Sequence, residues 1–440
     1  MSAAVGGVGA AAARFGYSTL LRLAAPLYAL RVLWRGRSEP LYASHFGERF
    51  GSFPASSAAP AGAVWVHAVS LGETRAAAPL IEAMRLARPG LRLLLTHGTA
   101  TGRAAGAALL RPGDAQAWLP FDTPGGARRF LRHFEPAAGV LLETEIWPNV
   151  LAEAKRAGVP MFLANARLSE RSRRRGARVD ALLRPAFASL AAAFAQSAGD
   201  GERLRDAGVG DVVVAGNLKY DMAPDEALLA RGRNWKTGLH RAVVLAASTR
   251  EGEEAMLLAD WHALPAPRPL LVVVPRHPQR FDAVAELVTA TGFSLSRRSA
   301  WTGGAPSVEA ASADVWLGNS MLEMPAWYAL ADAALLGGSF APLGGQNLIE
   351  AAACGCPVVM GPHTFNFGEA AALSLASGAA IRVTGMAAGV AAVAALVRGS
   401  AQAEREQRAA AALAWSQAHR GAAARTAAAI VAALAAKTVE

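Results

Sequence analysis

Three acidic side chains stand where strands of a predicted sheet end and turns begin. Glu73 lies in the turn Ser70-Leu-Gly-Glu-Thr-Arg75, and Glu143 and Glu145 lie in the run Glu143-Thr-Glu-Ile-Trp-Pro-Asn149. A carboxylate on a rigid turn can take a proton from a substrate hydroxyl, and Glu73 has a suitable position for that role. It can equally cap the helix that follows, because a carboxylate near a helix N-terminus is favourable. Both interpretations place Glu73 at the start of a helix.

Two arginines and two glycine-bearing turns stand at corresponding places in the second half of the chain. Arg250 follows one predicted strand and Arg276 follows the next. Arginine forms charge-assisted, forked hydrogen bonds that suit phosphate. The turns at 337–340 and 344–347 precede a helix whose first N–H groups could cradle a phosphate, and Glu350 could accept hydrogen bonds from ribose hydroxyls. The sequence therefore predicts a nucleotide in the C-terminal half.

Several common catalytic and metal-binding patterns are absent from the sequence. No Gly-x-x-x-x-Gly-Lys-Ser/Thr and no Gly-x-Ser-x-Gly occurs, and the lone Gly7-Val-Gly9-Ala-Ala-Ala12 follows no predicted strand. A P-loop ATPase and a dinucleotide enzyme are therefore not supported. The nine histidines form no His-x-x-x-His, the two cysteines are one residue apart, and Glu143 and Glu145 have no further acidic cluster beside them. We expect neither a metal ion nor a cofactor.

The length and composition of the chain indicate how many hydrophobic cores it can form. The chain has 440 residues, of which 53% are hydrophobic and 18% charged, so it can fill two hydrophobic cores. Short, continuously apolar runs alternate with helical patterns, which is typical of parallel strands covered on both faces. These runs are 64–67, 92–96, 139–142, 160–164, 191–196 and 211–215, and then 242–247, 270–274, 293–296, 315–317, 333–336 and 357–360.

This alternation predicts an α/β fold with two consecutive Rossmann-like, doubly wound domains. The N-terminal domain covers 53–220 and begins with a linker-like stretch at 53–62, and the C-terminal domain covers 235–425. Residues 401–440 are alanine-rich and predict continuous helix, with 426–440 as a C-terminal helical tail. Ligands of such sheets bind outside the carboxyl ends of the strands, where the acids and arginines stand.

Residues 1–52 are interpreted as a membrane-associated N-terminal segment. Its apolar stretch at 17–34 is interrupted by Arg22 and Arg31, and Pro26 would kink it. A full span needs about 20 uninterrupted apolar residues, so a helix lying in the membrane surface is favoured, with its arginines at anionic headgroups. An ordinary buried helix and a full span are the alternatives. The basic flank that follows predicts the cytoplasmic side of the membrane.

A second basic cluster lies at 167–178, which holds six arginines and one glutamate in a chain of net charge +10. No aromatic residue interleaves this cluster, and no helix-turn-helix, RRM or zinc-finger pattern accompanies it, so we expect no nucleic acid partner. The cluster is either a solvated helix face or a surface for anionic lipid or a phosphorylated acceptor.

Several longer motifs resemble those of the Kdo transferases, glycosyltransferases that move 3-deoxy-D-manno-octulosonic acid (Kdo) from CMP-Kdo onto the lipid A precursor of lipopolysaccharide. The similarity extends over nearly the whole chain. It is carried by Gly47-Glu-Arg-Phe-Gly51, His67-Ala-Val-Ser-Leu-Gly-Glu-Thr74, Glu143-Thr-Glu-Ile-Trp-Pro-Asn149, Gly216-Asn-Leu-Lys-Tyr-Asp221, Asn347-Leu-Ile-Glu350 and Gly361-Pro-His-Thr-Phe-Asn-Phe367. The resemblance implies the two-Rossmann GT-B architecture, an inverting reaction and no metal ion.

The resemblance also implies roles for individual residues. Glu73 matches the family's general base, which would deprotonate the glucosamine 6-hydroxyl of the acceptor, and Glu143 and Lys219 match positions that stabilise the transition state. The residues implied to hold the cytidine nucleotide are Arg250, Pro275, Arg276, Met321, Leu322, Glu323, Asn347, Leu348, Ile349 and Glu350. The implied partners are CMP-Kdo, the lipid A precursor (lipid IVA) and the cytoplasmic face of the inner membrane.

One position departs from the family pattern. Family members usually have Gly-Asp-Thr-Met-Gly-Glu where this chain has Gly318-Asn-Ser-Met-Leu-Glu323, so Leu322 adds bulk beside the implied nucleotide. We expect a small shift of this loop. Two other functions are compatible with the residues: a UDP-sugar transferase or epimerase of the same architecture, and a membrane-surface adaptor without catalytic activity.

Overall fold

Two parallel β-sheets of seven strands each dominate the protein, which we describe from a computed structural model that covers residues 2–54 and 61–439. Within the predicted linker at 53–62, residues 55–60 lie outside this described part. Neighbouring strands in both sheets run parallel, for example β-strand residues Val64 beside Ala138 and Val244 beside Leu271. The predicted α/β class with two doubly wound sheets is confirmed.

The chain divides into two compact units whose first boundary lies close to the predicted one. One unit contains Met1–Met222 together with Arg420–Glu440, and the other contains Ala223–His419. The structure therefore differs from the predicted C-terminal domain at 235–425 and separate tail at 426–440, because the end of the chain returns to the first unit.

Strands and helices alternate along the first unit. Its strands are β1 (Val64–His67), β2 (Leu93–His97), β3 (Ala115–Trp118), β4 (Ala138–Leu142), β5 (Met161–Ala166), β6 (Ala192–Ala195) and β7 (Val212–Val214). Its helices before the second unit are α1 (Ser2–Gly36), α2 (Leu71–Ala87), α3 (Ala100–Ala107), α4 (Pro124–Phe134), α5 (Pro148–Arg156), α6 (Glu170–Gly176), α7 (Asp180–Phe187) and α8 (Ala198–Asp206).

The strand order of the first sheet brings two polar loops side by side. The order is β3-β2-β1-β4-β5-β6-β7, so the direction of winding reverses between β1 and β4. The loops after these two strands leave the sheet on opposite sides, and doubly wound proteins bind ligands in the crevice that results. The turn that carries Glu73 follows β1, and the run that carries Glu143 follows β4.

Helix α1 is continuous through Pro26 and is joined to the first unit by polar contacts. Tyr17 Oη donates to Asp122 Oδ2 at 2.9 Å, and Ser18 Oγ donates to Asn149 Oδ1 at 3.0 Å. One face of α1 is thereby held against the loop that follows β3 and the first turn of α5.

Another face of α1 carries exposed apolar side chains, which we call the apolar stripe. The stripe consists of Leu20, Leu23, Leu27, Leu30 and Trp34, each more than 60% exposed. Spacings of three and four residues place them on one side of the helix. Among the described residues no single helix is long and apolar enough to cross a membrane, and Met386–Leu396 with Gly399–Ala435 meets that criterion only as a bent pair.

The second unit repeats the alternation of strands and helices. Its strands are β8 (Val243–Thr249), β9 (Leu270–Pro275), β10 (Leu295–Arg297), β11 (Val315–Leu317), β12 (Ala333–Leu336), β13 (Val358–Met360) and β14 (Ala380–Arg382). Its helices are α9 (Glu226–Thr237), α10 (Glu253–His262), α11 (Phe281–Ala290), α12 (Val308–Ser312), α13 (Met324–Leu330), α14 (Leu348–Ala353), α15 (Gly368–Ala376), α16 (Met386–Leu396) and α17 (Gln402–Ala418). The last helix of the chain, α18 (Ala422–Val439), belongs to the first unit.

The second sheet has the order β10-β11-β9-β8-β12-β13-β14 and reverses between β8 and β12. The loop that carries Arg250 follows β8, and the glycine turn at 337–340 follows β12. The predicted nucleotide-binding residues thus include loops on both sides of this reversal, where such sheets bind ligands.

Two strands, β3 and β14, were not predicted from the sequence, and both lie at a sheet edge. β3 has the sequence Ala-Gln-Ala-Trp and half of it is only partly buried, and β14 has three residues of which one is buried. Both strands are short, and Gln116 in β3 and Arg382 in β14 interrupt the apolar run by which the other strands were found. The other two edge strands, β7 and β10, were predicted.

The prediction of continuous helix over 401–440 is wrong at one place. Helix α17 ends at Ala418, and residues 419–421 are not helical; Gly421, just before α18, has a φ of +100°. Asp221 accepts hydrogen bonds from the backbone N–H groups of Gly421 at 2.5 Å and Ala423 at 2.7 Å, and thereby caps α18. A carboxylate about 200 positions earlier in the chain therefore decides where the last helix starts.

Candidate functional site

The turn between β1 and α2 holds the carboxylate of Glu73 in a fixed orientation. Ser70 is the N-cap of α2 and Glu73 is its third residue, which is the spacing of a capping box. Ser70 Oγ donates to Glu73 Oε1 at 2.9 Å, and the backbone N–H of Val69 donates to Glu73 Oε2 at 2.9 Å. The predicted position of Glu73 at a helix start is confirmed, and the turn orients both of its oxygens.

The surroundings of Glu73 favour its protonated form. Burial is the largest cause and raises the pKa of Glu73 above its ordinary 4.5, because a desolvated carboxylate is less stable as an anion. Hydrogen bonds from Val69 and Ser70 lower this pKa, the negative charge of Glu143 raises it, and the positive charge of Lys219 lowers it. The net shift is upward, toward the range in which a carboxylate works well as a general base near neutral pH.

Glu143 and Lys219 form an ion pair at the carboxyl end of the same sheet. Lys219 Nζ donates to Glu143 Oε1 at 2.8 Å, and the two side chains are 21% and 25% exposed. Glu143 has a φ of +57°, a conformation that non-glycine residues adopt rarely and that is found most often at functional sites. The structure thus brings together the three side chains that the sequence proposed as catalytic, since both members of this pair act electrostatically on Glu73.

Glu145 is the most strongly perturbed acid of this group. Its pKa is raised from the ordinary 4.5 to about 7, chiefly by burial and next by the negative charge of Glu73; the charge of Glu143 adds a smaller upward effect and a hydrogen bond with Trp147 a downward one. A proton on Glu145 at neutral pH reduces the repulsion among the three carboxyl groups. Among residues 2–54 and 61–439, no group of three or more His, Cys, Asp or Glu is arranged to hold a metal ion.

Asn165 positions the segment that carries Lys219, and the sequence analysis did not identify it. It lies at a register shift in β5 with a φ of +51° and is almost fully buried. Asn165 Oδ1 accepts the N–H of Leu218 at 3.0 Å, and Asn217 Oδ1 accepts the N–H of Lys219 at 3.0 Å. The sequence could have indicated this residue, because Asn165 is a polar residue within the otherwise apolar strand β5.

A second buried acid, Glu253, ties together the two loops of the second unit. Glu253 Oε2 accepts the N–H of Arg250 at 2.9 Å and the N–H of Gly338 at 2.7 Å, and Oε1 accepts the N–H of Phe340 at 3.1 Å. The sequence placed this residue in the loop after β8 but assigned it no role. Its side chain is fully buried and joins the loops on both sides of the strand reversal.

Arg250 and Arg276 stand at the ends of β8 and β9 as predicted. Neither guanidinium is engaged by a carboxylate within the part of the chain that the structure describes. Their positive charges, with that of Arg280, lower the pKa of His277, after the larger effect of burial. This concentration of positive charge suits an anionic ligand.

The loop after β9 is held in place by a third arginine. Arg280 makes a forked pair with the buried carboxylate of Glu254, with Nη1 to Oε1 at 2.6 Å and Nη2 to Oε2 at 3.0 Å. The N–H of Arg276 donates to the carbonyl of Thr249 at 2.9 Å. Pro275, the last residue of β9, is buried, so the loop and not the proline ring is open to a ligand.

Among the predicted nucleotide contacts, 321–323 differ most from expectation. Glu323 is occupied by protein groups: Arg298 makes two hydrogen bonds to it, at 3.0 and 2.9 Å, and Arg231 makes one at 2.9 Å. Burial favours a higher pKa for Glu323, but the hydrogen bonds and charges of these arginines lower it overall. Met321 and Leu322 are 45% and 56% exposed.

The backbone conformation of Leu322 gives a physical reason for the departure from the family pattern. Its φ is +65°, in the left-handed region that favours glycine. The added side chain is exposed, so the loop accommodates its bulk, and the cost lies in the backbone instead.

The segment Asn347 to Glu350 forms the start of α14. Asn347 is the N-cap and its Oδ1 accepts the N–H of Ile349 at 3.2 Å. The side chains of Leu348 and Ile349 are buried in the core, so only their backbone groups are available to a ligand. Glu350 is partly buried one turn inside the helix, as predicted.

The overall architecture is similar to that of several solved structures. The Anabaena protein HepE in complex with UDP covers 84% of this chain and 100% of its own length, with a TM-score of 0.57 and 13% identity. A glycosyltransferase from Rickettsia africae covers 85% of this chain and 98% of its own, with a TM-score of 0.57 and 11% identity. At these identities the likeness concerns the fold alone.

Sequence comparison identifies the family. The family model described as 3-deoxy-D-manno-octulosonic-acid transferase (kdotransferase) matches residues 44–222. A 3-deoxy-D-manno-octulosonic acid transferase of Bordetella pertussis is 48% identical over 427 residues, which cover 93% of this chain and 97% of the relative. One from Haemophilus influenzae is 34% identical and covers 81% of this chain and 84% of its own. The chain therefore belongs to the family of Kdo transferases, which are glycosyltransferases.

The strained backbone at Leu322 generates a stability prediction. Leu322→Gly should raise the free energy of unfolding by about 1 kcal/mol, because a left-handed residue with a Cβ costs about 1–2 kcal/mol and the exposed side chain contributes little packing. Denaturant unfolding of the two proteins measures this difference. Met321→Gly is the matched control: its φ is not positive, so the same substitution should not stabilise the protein. Equal effects of the two substitutions would contradict the assignment of strain.

Proposed function

We propose that this Kdo transferase moves Kdo from CMP-Kdo to the 6'-hydroxyl of the lipid A precursor, with inversion at the anomeric carbon and without a metal ion or cofactor. Family membership supports the transferred group. The observation that carries the mechanism is Glu73, a carboxylate oriented at both oxygens, with a raised pKa, beside the ion pair of Glu143 and Lys219.

The proposed chemistry is a single displacement. Glu73 takes the proton of the acceptor hydroxyl while the hydroxyl oxygen forms a bond to C2 of Kdo. The bond between C2 and the phosphate oxygen breaks at the same time, and CMP departs with the electron pair. One displacement by one nucleophile inverts the configuration at C2. Lys219, held by Glu143, offers positive charge to the Kdo carboxylate or the phosphate as negative charge develops.

The second unit supplies the proposed donor site. Arg250 and Arg276 offer guanidinium groups to the phosphate of CMP-Kdo, and Glu253 holds the loop of Arg250 against the glycine turn. Glu350 is the proposed partner of the ribose hydroxyls, and backbone groups of Asn347, Leu348 and Ile349 complete the nucleotide contacts together with Pro275, Met321, Leu322 and Glu323. Because Glu323 already accepts hydrogen bonds from Arg298 and Arg231, its proposed contribution is to fix this loop.

The N-terminal helix supports a location at the cytoplasmic face of the inner membrane. The apolar stripe of α1 is exposed to solvent, the same helix carries Arg22, Arg31 and Arg35, and Arg37 follows its last residue. Apolar side chains enter the membrane interface while arginines meet anionic headgroups. We propose that α1 lies on the membrane surface and brings the enzyme to its lipid acceptor.

The general base is tested by Glu73→Gln. Glutamine keeps the size of the side chain and one acceptor oxygen for the N–H of Val69, and its amide can donate to Ser70 Oγ, but it cannot accept the proton. Transfer should therefore fall by about 100- to 10,000-fold while CMP binding is unchanged. Mass spectrometry of the lipid A precursor after incubation with CMP-Kdo measures the transfer. Glu82→Gln, an exposed change on the same helix, is the control and should retain full activity. Full activity of Glu73→Gln would contradict the role, and no Kdo gain with folded wild-type protein would contradict the function.

The donor site is tested by Arg276→Ala. Loss of a charge-assisted contact to phosphate costs about 1.5–3 kcal/mol, so the affinity for CMP should fall about 10- to 100-fold in calorimetric titration. Wild-type protein should bind CMP in preference to UDP. Arg398→Ala, which also removes an exposed arginine from the second unit, should bind CMP like the wild type. An unchanged affinity of Arg276→Ala would remove this residue from the donor site.

Membrane association is tested by the double substitution Leu23→Ser/Leu27→Ser. Burying a leucine side chain contributes about 1.5–3 kcal/mol, so binding to vesicles that contain anionic phospholipid should weaken by more than about 100-fold for two of them. The control is Leu86→Ser/Val308→Ser, which removes two side chains that are 82% and 83% exposed elsewhere in the protein. Sedimentation with vesicles gives both affinities, and equal binding of the two double variants would contradict the proposed surface.

A further inference from the structure

A cavity of about 260 Å³ lies in the first unit between α1 and the carboxyl ends of β1 and β2. Its polar lining includes Tyr28, Arg31, Arg35, Arg49, His67 and Trp147. Three of these side chains are arginines, and no aspartate or glutamate of the described residues lines the cavity. The proposed mechanism uses none of these six residues.

Arg49 is a buried cation with an incomplete set of partners. The residue is 2% exposed, and only its Nη1 makes a hydrogen bond, to Tyr28 Oη at 3.1 Å. Its Nε and Nη2 are buried without a hydrogen-bond partner, although the guanidinium lies over the ring of Trp118 at 3.8 Å. The adjacent Glu48 is paired with Arg103 instead. Because a buried charge is costly unless it is paired, this guanidinium is arranged for an anion supplied by a ligand.

His67 offers a second unused donor. Trp65 Nε1 donates to Thr96 Oγ1 at 2.7 Å, and Thr96 Oγ1 lies 2.9 Å from His67 Nδ1. The threonine oxygen can accept from or donate to Nδ1, so Nδ1 has a partner in either tautomer. Nε2 is buried and has no hydrogen-bond partner, and in the tautomer that carries the proton there it can donate to a ligand. Two buried side chains of one cavity therefore have nitrogen atoms without hydrogen-bond partners.

The cavity adjoins the turn that carries the proposed base. Val69 lines the cavity, and its N–H group is the one that donates to Glu73 Oε2. Trp147 also lines it and lies in the run that begins with Glu143. A ligand in this cavity would therefore lie beside the turn that orients Glu73.

We infer that this cavity binds a phosphate ester of the sugar acceptor, with Arg49 and His67 as its buried donors. The inference rests on the proposed function, since it assigns a subsite to the acceptor of that reaction. A phosphate monoester presents several acceptor oxygens, which match the free edge of a guanidinium and an imidazole N–H. Arg31 adds positive charge at the α1 side, whereas the charge of Arg35 is offset by Glu39, which lies 3.5 Å away. The subsite selects phosphorylated acceptors and orients their hydroxyl toward Glu73.

The test compares two soluble head groups on the full chain: a deacylated glucosamine disaccharide bisphosphate and the same disaccharide after phosphatase treatment. Wild-type protein should bind the phosphorylated form about 10- to 100-fold more tightly in calorimetric titration. Arg49→Met should reduce this preference to less than about twofold, because it keeps an apolar chain over Trp118 and removes every donor. Arg49→Lys should retain part of the preference, and His67→Phe should lose part of it.

Controls separate a binding role from a structural one. Arg88→Met removes an exposed arginine of the same unit and should keep the full preference. Each variant should keep the wild-type circular dichroism and the wild-type affinity for CMP. If Arg49→Met unfolds, Arg49→Lys and His67→Phe are used for the test instead. Both keep a side chain of similar size, and Arg49→Lys also keeps the positive charge. A phosphate preference that is absent from the wild type, or undiminished in all three variants, overturns the inference.

Two further measurements are needed. One shows whether the bound phosphate belongs to the acceptor or to a membrane lipid, and the other tests the proposed function separately from the subsite. Binding to vesicles of phosphatidylglycerol that depends on Arg49, without any preference between the two disaccharides, would assign the site to membrane phospholipid and overturn the acceptor subsite. Kdo transfer followed by mass spectrometry reports separately on the function: transfer without an Arg49-dependent preference rejects only the subsite. A preference without transfer rejects the function and leaves a phosphate site in another reaction.

Discussion

The structure depends on one recurring requirement: backbone N–H groups at the turns between strands and helices must find acceptors where water is scarce. Acidic side chains meet this need in both units. Asp122 and Glu253 do so from buried positions, and Glu73 and Asp221 from partly buried ones. Because a carboxyl group has two oxygens that can accept hydrogen bonds, each acid fixes a loop that carries polar side chains. The rigidity of the functional loops thus comes from acids that are mostly not part of the chemistry.

The two units concentrate opposite charges at their loops. The first unit places carboxyl groups close together and partly out of water, which raises the pKa values of Glu73 and Glu145 and favours proton transfer. The second unit leaves Arg250 and Arg276 without carboxylate partners among the described residues and so concentrates positive charge. A transfer reaction needs both conditions, because one substrate loses a proton while the other releases an anionic leaving group.

Much of the fold follows from local pattern. Central strands are buried on both faces, and continuous apolarity was therefore enough to locate β1, β4, β8 and β12. The same rule misses the edge strands β3 and β14, in which Gln116 and Arg382 interrupt the apolar run. Leu322 illustrates a different limit: its departure from the family pattern suggested a problem of bulk, but the structure shows that the side chain is exposed and the strain lies in the backbone.

The residue types and their order along the chain were sufficient to indicate two doubly wound domains, a carboxylate at the first turn, arginines for a phosphate and the family. They could not reveal partners that are distant in sequence. The capping of α18 by Asp221, the loop contacts of Glu253 and the unpaired donors of Arg49 and His67 all depend on contacts between segments far apart in the chain. Burial and pKa shifts could not be predicted from the sequence either, because desolvation depends on every group packed around a side chain and not only on its sequence neighbours.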